Sequence, residues 1–409
     1  MQPVGHYATL DLILIMLRNI PRNVVFLGLV SLFNDIASEM IYPIVPIFLT
    51  SVLGAPVSIV GLIEGIAEAT ASLTKFFSGY VSDRVRKRKI FVVYGYTLGS
   101  ISKLLTGLAV SWHFVLFARF IDRLGKGVRT SARDSILLQN ATSQNRGYIF
   151  GFHRAMDSLG AVVGPLLALI LLALLKENIR LVFFLAFIPS LIGVLLLILF
   201  VREKKHEVSE KGIKIGFSWK NINFNLKLFF IASIIFSLGN SSDAFLILRA
   251  KDLGLATTLV VLTYVLYNIS QTVFSTPAGK LADKIGARRV FTIGLLVFAF
   301  VYFMFGIMDN PILPWIIFPI YGLYIAFTDG VSKAYISEFI TEKESGSYFG
   351  MYQMGIALAG FFASFTAGIL WSSINPSAAF FYGSTMAILA FFVLSFNKLF
   401  CASTRGVGN

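Results

Sequence analysis

Asp35 and Glu39 stand four residues apart in an otherwise apolar stretch, with Asn34 directly before them. On a helix that spacing puts both carboxylates on one face. Glu64 and Glu68 repeat it in the next apolar stretch. Further on, Arg119, Asp122, Arg123, Lys126, Arg129 and Arg133 recur so that, at about 100° per residue, they form one stripe. His153, Arg154 and Asp157 follow. Carboxylates set against guanidinium groups can pass protons or hold a charged solute. Inside a bilayer each such group costs roughly 2.5–3.5 kcal/mol on insertion scales, so it pairs, faces a cavity, or works. Glu64, Glu68, Arg129, Arg133 and Arg154 lie nearer the ends of their segments, where ion pairs that only lock helices together serve equally well. Asp35, Glu39, Arg119 and Arg123 lie deeper, where a purely structural pair is harder to justify, and a functional role is preferred. Asp122, Lys126 and Asp157 complete the group that could carry protons or touch a solute. The expected link runs from the first or second apolar segment to the fourth, with Asp35 or Glu39 to Arg119 or Arg123 as the preferred pairing.

The second half of the chain is milder. Asn240 and Asp243, then Tyr264, Tyr267, Asn268 and Gln271, then Asp329 and Lys333, then Tyr352 and Gln353 punctuate its apolar segments. Asp329 and Lys333 are four apart and can neutralise each other. As a cluster, the polar and aromatic groups suit a solute with hydrogen-bonding groups and flat apolar parts, although any single Tyr is equally a packing residue.

These residues must be carried by membrane-spanning helices. The 409 residues are 56 % hydrophobic and only 14 % charged, with 40 Phe, and the mean hydropathy is +0.78. A soluble domain carries about 25 % charged residues. A span needs about 20 apolar residues, so the chain has room for about twelve spans and little else. Apolar segments fall near 24–50, 57–81, 90–110, 113–134, 148–175 and 179–201, and again near 225–250, 257–279, 290–308, 312–338, 347–371 and 377–400. The expected organisation is an interfacial segment over 1–22, a six-helix bundle over 23–202, a linker over 203–224, a second bundle over 225–400 and a tail over 401–409. The stretch 8–17 reads as an interfacial lead-in helix rather than a cleavable signal.

The net charge of +14 fits loop lysines and arginines better than nucleic-acid binding. Arg84, Arg86, Lys87, Arg88 and Lys89 sit in one loop, Lys280, Lys284, Arg288 and Arg289 in another, and the linker holds five Lys, whereas the opposite loops 51–56, 110–112, 309–314 and 372–377 have neither Lys nor Arg. The positive-inside rule then puts both termini and the linker in the cytoplasm, in an inner-membrane protein. The single Cys401 and four scattered His exclude disulfides and cysteine- or histidine-cluster metal sites. No metal and no cofactor are expected, and no Gly-rich loop ending in Lys-Ser/Thr suggests ATP.

The halves repeat. Gly79-Tyr-Val-Ser-Asp83-Arg84 returns as Gly279-Lys-Leu-Ala-Asp283-Lys284, Ser31-Leu-Phe-Asn34 as Ser237-Leu-Gly-Asn240, and Tyr148-Ile-Phe-Gly151 as Tyr348-Phe-Gly350. Duplicated halves are a common basis for alternating access. The loop copy Gly279, Leu281, Ala282, Asp283, Lys284, Gly286, Arg288, Arg289 resembles the signature of the major facilitator superfamily, and the first copy departs from it at Arg86. The resemblance implies an all-α polytopic fold of 12 transmembrane helices in two pseudo-symmetric six-helix bundles. It also implies a gating latch at Gly79, Asp83, Arg84, Gly279, Asp283 and Arg288. Gly160, Gly164 and Pro165 permit close helix packing on physical grounds and are similar to the motif that marks drug and metabolite antiporters in that family. Arg119-Phe120 resembles a fourth-helix motif linked to proton transfer, with Arg123 standing where Gly is usual.

The expectation is therefore a non-enzymatic secondary transporter, in contact with lipid, moving a small organic solute. Proton-coupled export of a drug-like compound or siderophore by a monomer is the preferred reading. The alternative is import of an anionic metabolite or metal chelate; a receptor or scaffold would have little reason to keep the buried charges.

Overall fold

A computed structural model describes residues 20–85, 88–140, 146–203, 222–340 and 345–404. Twelve long helices run through them, and no strand occurs among the described residues. They are α1 (Arg22–Val52), α2 (Val57–Val85), α3 (Arg88–Leu108), α4 (Trp112–Gln139), α5 (Arg146–Leu174) and α6 (Ile179–Phe200), then α7 (Phe224–Asp252), α8 (Thr257–Ile285), α9 (Ala287–Ile307), α10 (Pro314–Ser337), α11 (Ser345–Ser373) and α12 (Pro376–Thr404). The interfacial stretch 8–17 and the lysines of the central linker lie outside the described residues.

Ten of these helices are long and apolar enough to cross a bilayer by length and composition. The two others are α3 and α4, and α4 owes this to its stripe of charge. Large apolar side chains such as Leu174, Leu199, Phe300 and Phe392 are half or more exposed, as expected of a surface bathed in lipid.

Two helices are broken. Regular α1 ends at Ile41, and Pro43 and Pro46 remove backbone donors before a π-helical turn over Phe48–Val52. In α7 the helix stops at Gly239 and restarts at Ala244. No proline is needed there: Asn240, Ser241, Ser242 and Asp243 offer the backbone competing side-chain hydrogen bonds.

Packing repeats across the two bundles. In the first, α1 packs on α5 and α6, α4 on α2 and α3, and α3 on α6. In the second, α7 packs on α11 and α12, α10 on α8 and α9, and α9 on α12. Each pair recurs six helices later. The bundles meet along α2 with α11 and α5 with α8. At the face opposite the linker, hereafter the distal face, contact is close: an added Cβ on Gly65 would lie 2.9 Å from the Phe361 ring, one on Gly368 would lie 2.9 Å from Ser58 Cα, and Ser58 N donates to Ser372 Oγ at 3.0 Å. Toward the linker face, Gly350 of α11 and Gly330 of α10 have no atom within 4 Å of a built Cβ, and Asp329 and Lys333 are half exposed. The halves are closed distally and part toward the linker.

Candidate functional site

Two glycines place the first-helix carboxylates. A Cβ on Gly160 would lie 2.8 Å from Asp35 Cβ and 2.9 Å from the Leu32 carbonyl; one on Gly164 would lie 2.6 Å from the Ile36 carbonyl and 2.8 Å from Glu39 Cβ. The glycine stripe of α5 is thus the groove in which α1 lies, and it sets the depth of Asp35 and Glu39. Gly164→Leu is expected to push α1 outward and to lower the thermal midpoint by several degrees, as overpacking costs about 1–3 kcal/mol. An unchanged midpoint, with Glu39 still in place, would show that the groove has slack.

The stripe of α4 faces α2, α3 and α1. Arg119 Nη2 donates to Glu64 Oε1 at 2.6 Å, with 5 % and 7 % side-chain exposure. Arg119 also lies over the Tyr42 ring. Asp122 accepts from Ser102 Oγ at 3.1 Å and pairs with Lys103 Nζ at 3.5 Å, and Lys103 is fully buried. Arg129 stacks on Tyr96 with 4.6 Å from its guanidinium carbon to the ring centre. Arg133 engages Asp134 and Ser31. The expected link from helix 1 or 2 to helix 4 comes from α2, through Glu64, and not through the preferred carboxylates Asp35 and Glu39. Arg123, Lys126 and Glu68 make no hydrogen bond or ion pair among the described residues. Among the described residues Asp35 accepts only from the Asn34 amide, at 3.4 Å, and Glu39 accepts from Tyr264 Oη of the other half at 3.2 Å. A small cavity of about 60 Å³ separates α1 from the stripe, lined by Asp35, Glu39, Arg119, Asp122, Arg123, Lys126 and Arg129 among others.

A larger cavity of about 260 Å³ lies between the halves. Its first-half wall is Tyr42, Glu64, Glu68, Ser72 and Arg123; its second-half wall is the unwound segment of α7, Tyr321, Tyr324 and the Gln353–Ser364 face of α11. Asp243, at the α7 break, accepts from Tyr321 Oη at 2.7 Å and Tyr267 Oη at 3.3 Å, while Asn240 donates to Tyr324 at 2.9 Å. Tyr42, Tyr264, Tyr267, Tyr321 and Tyr324 form a chain of tilted rings with neighbouring centres 5.2–5.8 Å apart. Ser242 Oγ donates to Glu64 Oε2 at 3.4 Å and lies 3.5 Å from Tyr42 Oη. The two helix breaks therefore face each other across the roof of this cavity.

Other expected residues lie elsewhere. Tyr352 is packed against Phe229 and Phe230 with its hydroxyl toward Ser233, off the cavity. Asn268 donates to the Tyr264 carbonyl, and Gln271 lies a turn further along α8; neither lines the larger cavity. Asp329 and Lys333 pair with each other at 3.1 Å. Asp157 pairs with His153 at 3.5 Å on α5. Of the latch, Arg288 donates to the Leu394 carbonyl of α12, and Asp283 is exposed. The side chains of residues 79–85, and so Asp83 and Arg84, lie outside the described residues. Lys103, Tyr321 and Tyr324 are not among the residues expected from the sequence. A lone Lys in an apolar segment, and the Tyr-x-x-Tyr spacing shared by 264–267 and 321–324, were the available signals.

Two six-helix bundles enclosing a polar cavity at their interface are the architecture of a polytopic membrane transporter. The sequence profile of the Major Facilitator Superfamily matches residues 27–264 and 228–400, and the chain belongs to that family. It is 38 % identical to the uncharacterised MFS-type transporter MJ1317 of Methanocaldococcus jannaschii, over 93 % of this chain and 96 % of that one. It is 24 % identical to the multidrug resistance protein MdtG of Citrobacter koseri, over 72 % and 74 % of the two chains. In fold it is similar to the crystal structure of the nucleoside transporter NupG (TM-score 0.75, 14 % identity, 92 % of this chain and 98 % of that chain). It is likewise similar to a peptide transporter POT in complex with sulfate (TM-score 0.76, 14 % identity, 92 % and 94 %).

Proposed function

We propose that this transporter exports a small organic solute against proton entry, with Asp35 and Glu39 as the proton-carrying groups. The observation that carries the reading is the hydrogen bond from Tyr264 to Glu39. It joins a first-half carboxylate, which has no ion-pair partner among the described residues, to the second half on the closed side. Opening the distal face has to break that bond, so a proton on Glu39 changes the free energy of opening, and linkage requires the reverse as well. The lysine- and arginine-rich loops of the linker face support a cytoplasmic position for it, so that the open cavity takes solute from inside the cell. The likeness to a protein named for multidrug resistance, and the tyrosine-lined cavity, support an aromatic or amphiphilic solute.

Proteoliposomes with an imposed pH gradient test this. In Asp35→Asn and Glu39→Gln, solute binding is expected to survive in at least one variant, while gradient-driven transport falls at least tenfold. Full gradient-driven transport in both variants, or wild-type transport indifferent to the gradient, would refute the assignment.

A further inference from the structure

Four titratable side chains follow one another along the seam between α1 and α5. His153, Asp157, Gly160 and Gly164 recur so that, at about 100° per residue, they share one strip of α5 roughly 60° wide. The two glycines show what that strip faces, since they lie against Asp35 and Glu39 of α1. From Gly160 to Gly164 the contact moves from Leu32 and Asp35 to Glu39 and Met40, so the helices run in the same direction. Asp157 therefore lies about 4.5 Å nearer the linker face than Gly160, and His153 one turn further. Asp157 sits beside Ser31, and its charge acts on that of Asp35. The levels of Gly164 and His153 are about 16 Å apart, half of a ~30 Å hydrocarbon core.

His153 Nδ1 lies 3.5 Å from Asp157 Oδ2, with side-chain exposures of 4 % and 17 %. A pair four residues apart on a helix can be no more than a local tie. A buried tie is expected to have its remaining polar atoms satisfied. Here His153 Nε2 and Asp157 Oδ1 are both buried without a hydrogen-bond partner among the described residues. Fixed charge is sparse around them. Of the helices packed on α5, α6 carries no charged residue between Arg180 and Phe200, α8 none between Thr257 and Lys280, and α1 none between Arg22 and Asp35. α4 brings Arg133, which is engaged by Asp134 and Ser31, and, nearer Asp35, Arg129 and Lys126. Arg154 of α5 itself is exposed.

We propose that Asp157 and His153 carry the proton from Asp35 to the linker face, which makes the α1–α5 seam the inner half of the proton path. The inference rests on the reading of Asp35 and Glu39 as the proton-carrying groups. Asp35 gives its proton, by way of water, to the Asp157 carboxylate. Asp157 passes it to Nδ1 of a neutral His153 that already holds a proton on Nε2. The imidazolium releases the Nε2 proton to water on the linker side, and exchange with water restores the starting tautomer. Imidazole suits this step because one nitrogen can take a proton while the other gives one up. Arg154 is exposed and the space beside Gly151 is open, so the ring lies at the level where α5 meets water.

A relay sets how fast a proton arrives and leaves the final equilibrium alone, and that split is the test. Purified full-length protein carrying Cys401→Ser and Ser372→Cys is labelled at the distal face with an environment-sensitive maleimide fluorophore, and the pH is dropped in a stopped-flow mixer. No solute is needed. The wild-type background is expected to change fluorescence as Glu39 takes up a proton. His153→Gln should reach the same end point about tenfold or more slowly, as loss of a proton-transfer group does, and Asp157→Asn should be slowed likewise. Ser158→Ala, off the strip on the same helix, should keep the background rate. In His153→Ala, added imidazole should restore most of the lost rate. A background that ignores the pH drop would sink the proton reading and the path with it. A background that responds, with both variants equally fast, would remove the path and leave the proton reading standing. A shifted end point at unchanged rate in His153→Gln would make the pair a structural tie, and a His153→Ala protein indifferent to imidazole would overturn the histidine step. Where Asp157→Asn does not fold, the two His153 variants decide.

Discussion

Arg119→Met is expected to destabilise the protein by about 3–5 kcal/mol, the cost of breaking a buried ion pair from one side. The variant leaves the Glu64 carboxylate buried with Ser242 as its remaining donor. The readout is the thermal midpoint in detergent, supported by the yield of monodisperse protein. The matched double variant Arg119→Met with Glu64→Gln removes both charges and should recover most of the lost stability, since exchanging a whole buried pair for neutral groups is often close to neutral. Transport should not recover with it, because Glu64 also receives the Ser242 hydroxyl from the opposite half at the roof of the cavity. A double variant as unstable as the single one would mean that the pair is not the stabilising unit.

Gly65→Leu and Gly368→Leu are expected to hold the distal face open and reduce transport at least tenfold, with folding retained. Small residues let α2 and α11 approach almost backbone to backbone, as in other membrane helix pairs. Gly61 belongs to the same seam, where a Cβ would run into the Ser364 carbonyl. A leucine cannot be accommodated there unless the halves separate, so the population shifts toward the state in which they do. Ser372→Cys on a Cys401→Ser background, labelled with a membrane-impermeant maleimide, reports the change. Labelling should rise in the Gly65 and Gly368 variants and stay at the parental level in Gly350→Leu, whose site is open. Unchanged labelling and full transport in Gly65→Leu would remove the seam from the gating mechanism.

The fold was legible in the sequence because its determinants are periodic and repeated: apolar segments of span length, loops that alternate in charge, and motifs that return half a chain later. Pairing within the site was not. Charge spacing on α4 shows that Arg119 and Arg123 share a face, but which carboxylate meets them depends on which helix lies alongside. Here α4 packs extensively on α2 and α3 and only sparsely on α1. Arg119 accordingly meets Glu64, and Asp122 meets Lys103, whose helix carried no cluster to mark it. Tyr352 shows the converse limit: it lies one position before Gln353, and that one step, 100° around the helix, turns it from the cavity into the Phe229–Phe230 packing. Gly160 and Gly164, read physically as packing residues, have that contact in the structure, and their partner is the backbone of the helix that carries Asp35 and Glu39.

The polarity of α3 and α4 bears on how the chain is made. Neither helix is apolar enough to qualify as a span alone, and α4 would carry Arg119, Asp122, Arg123, Lys126 and Arg129 into the hydrocarbon one after another, at roughly 2.5–3.5 kcal/mol per charge. Arg119 and Asp122 find their partners only when Glu64 of α2 and Lys103 of α3 are beside them. Insertion one helix at a time is therefore unfavourable for this stretch. Residues 57–139 are expected to enter the bilayer as a three-helix unit, with α2 and α3, which are made first, held at hand until α4 is synthesised and pairs with them.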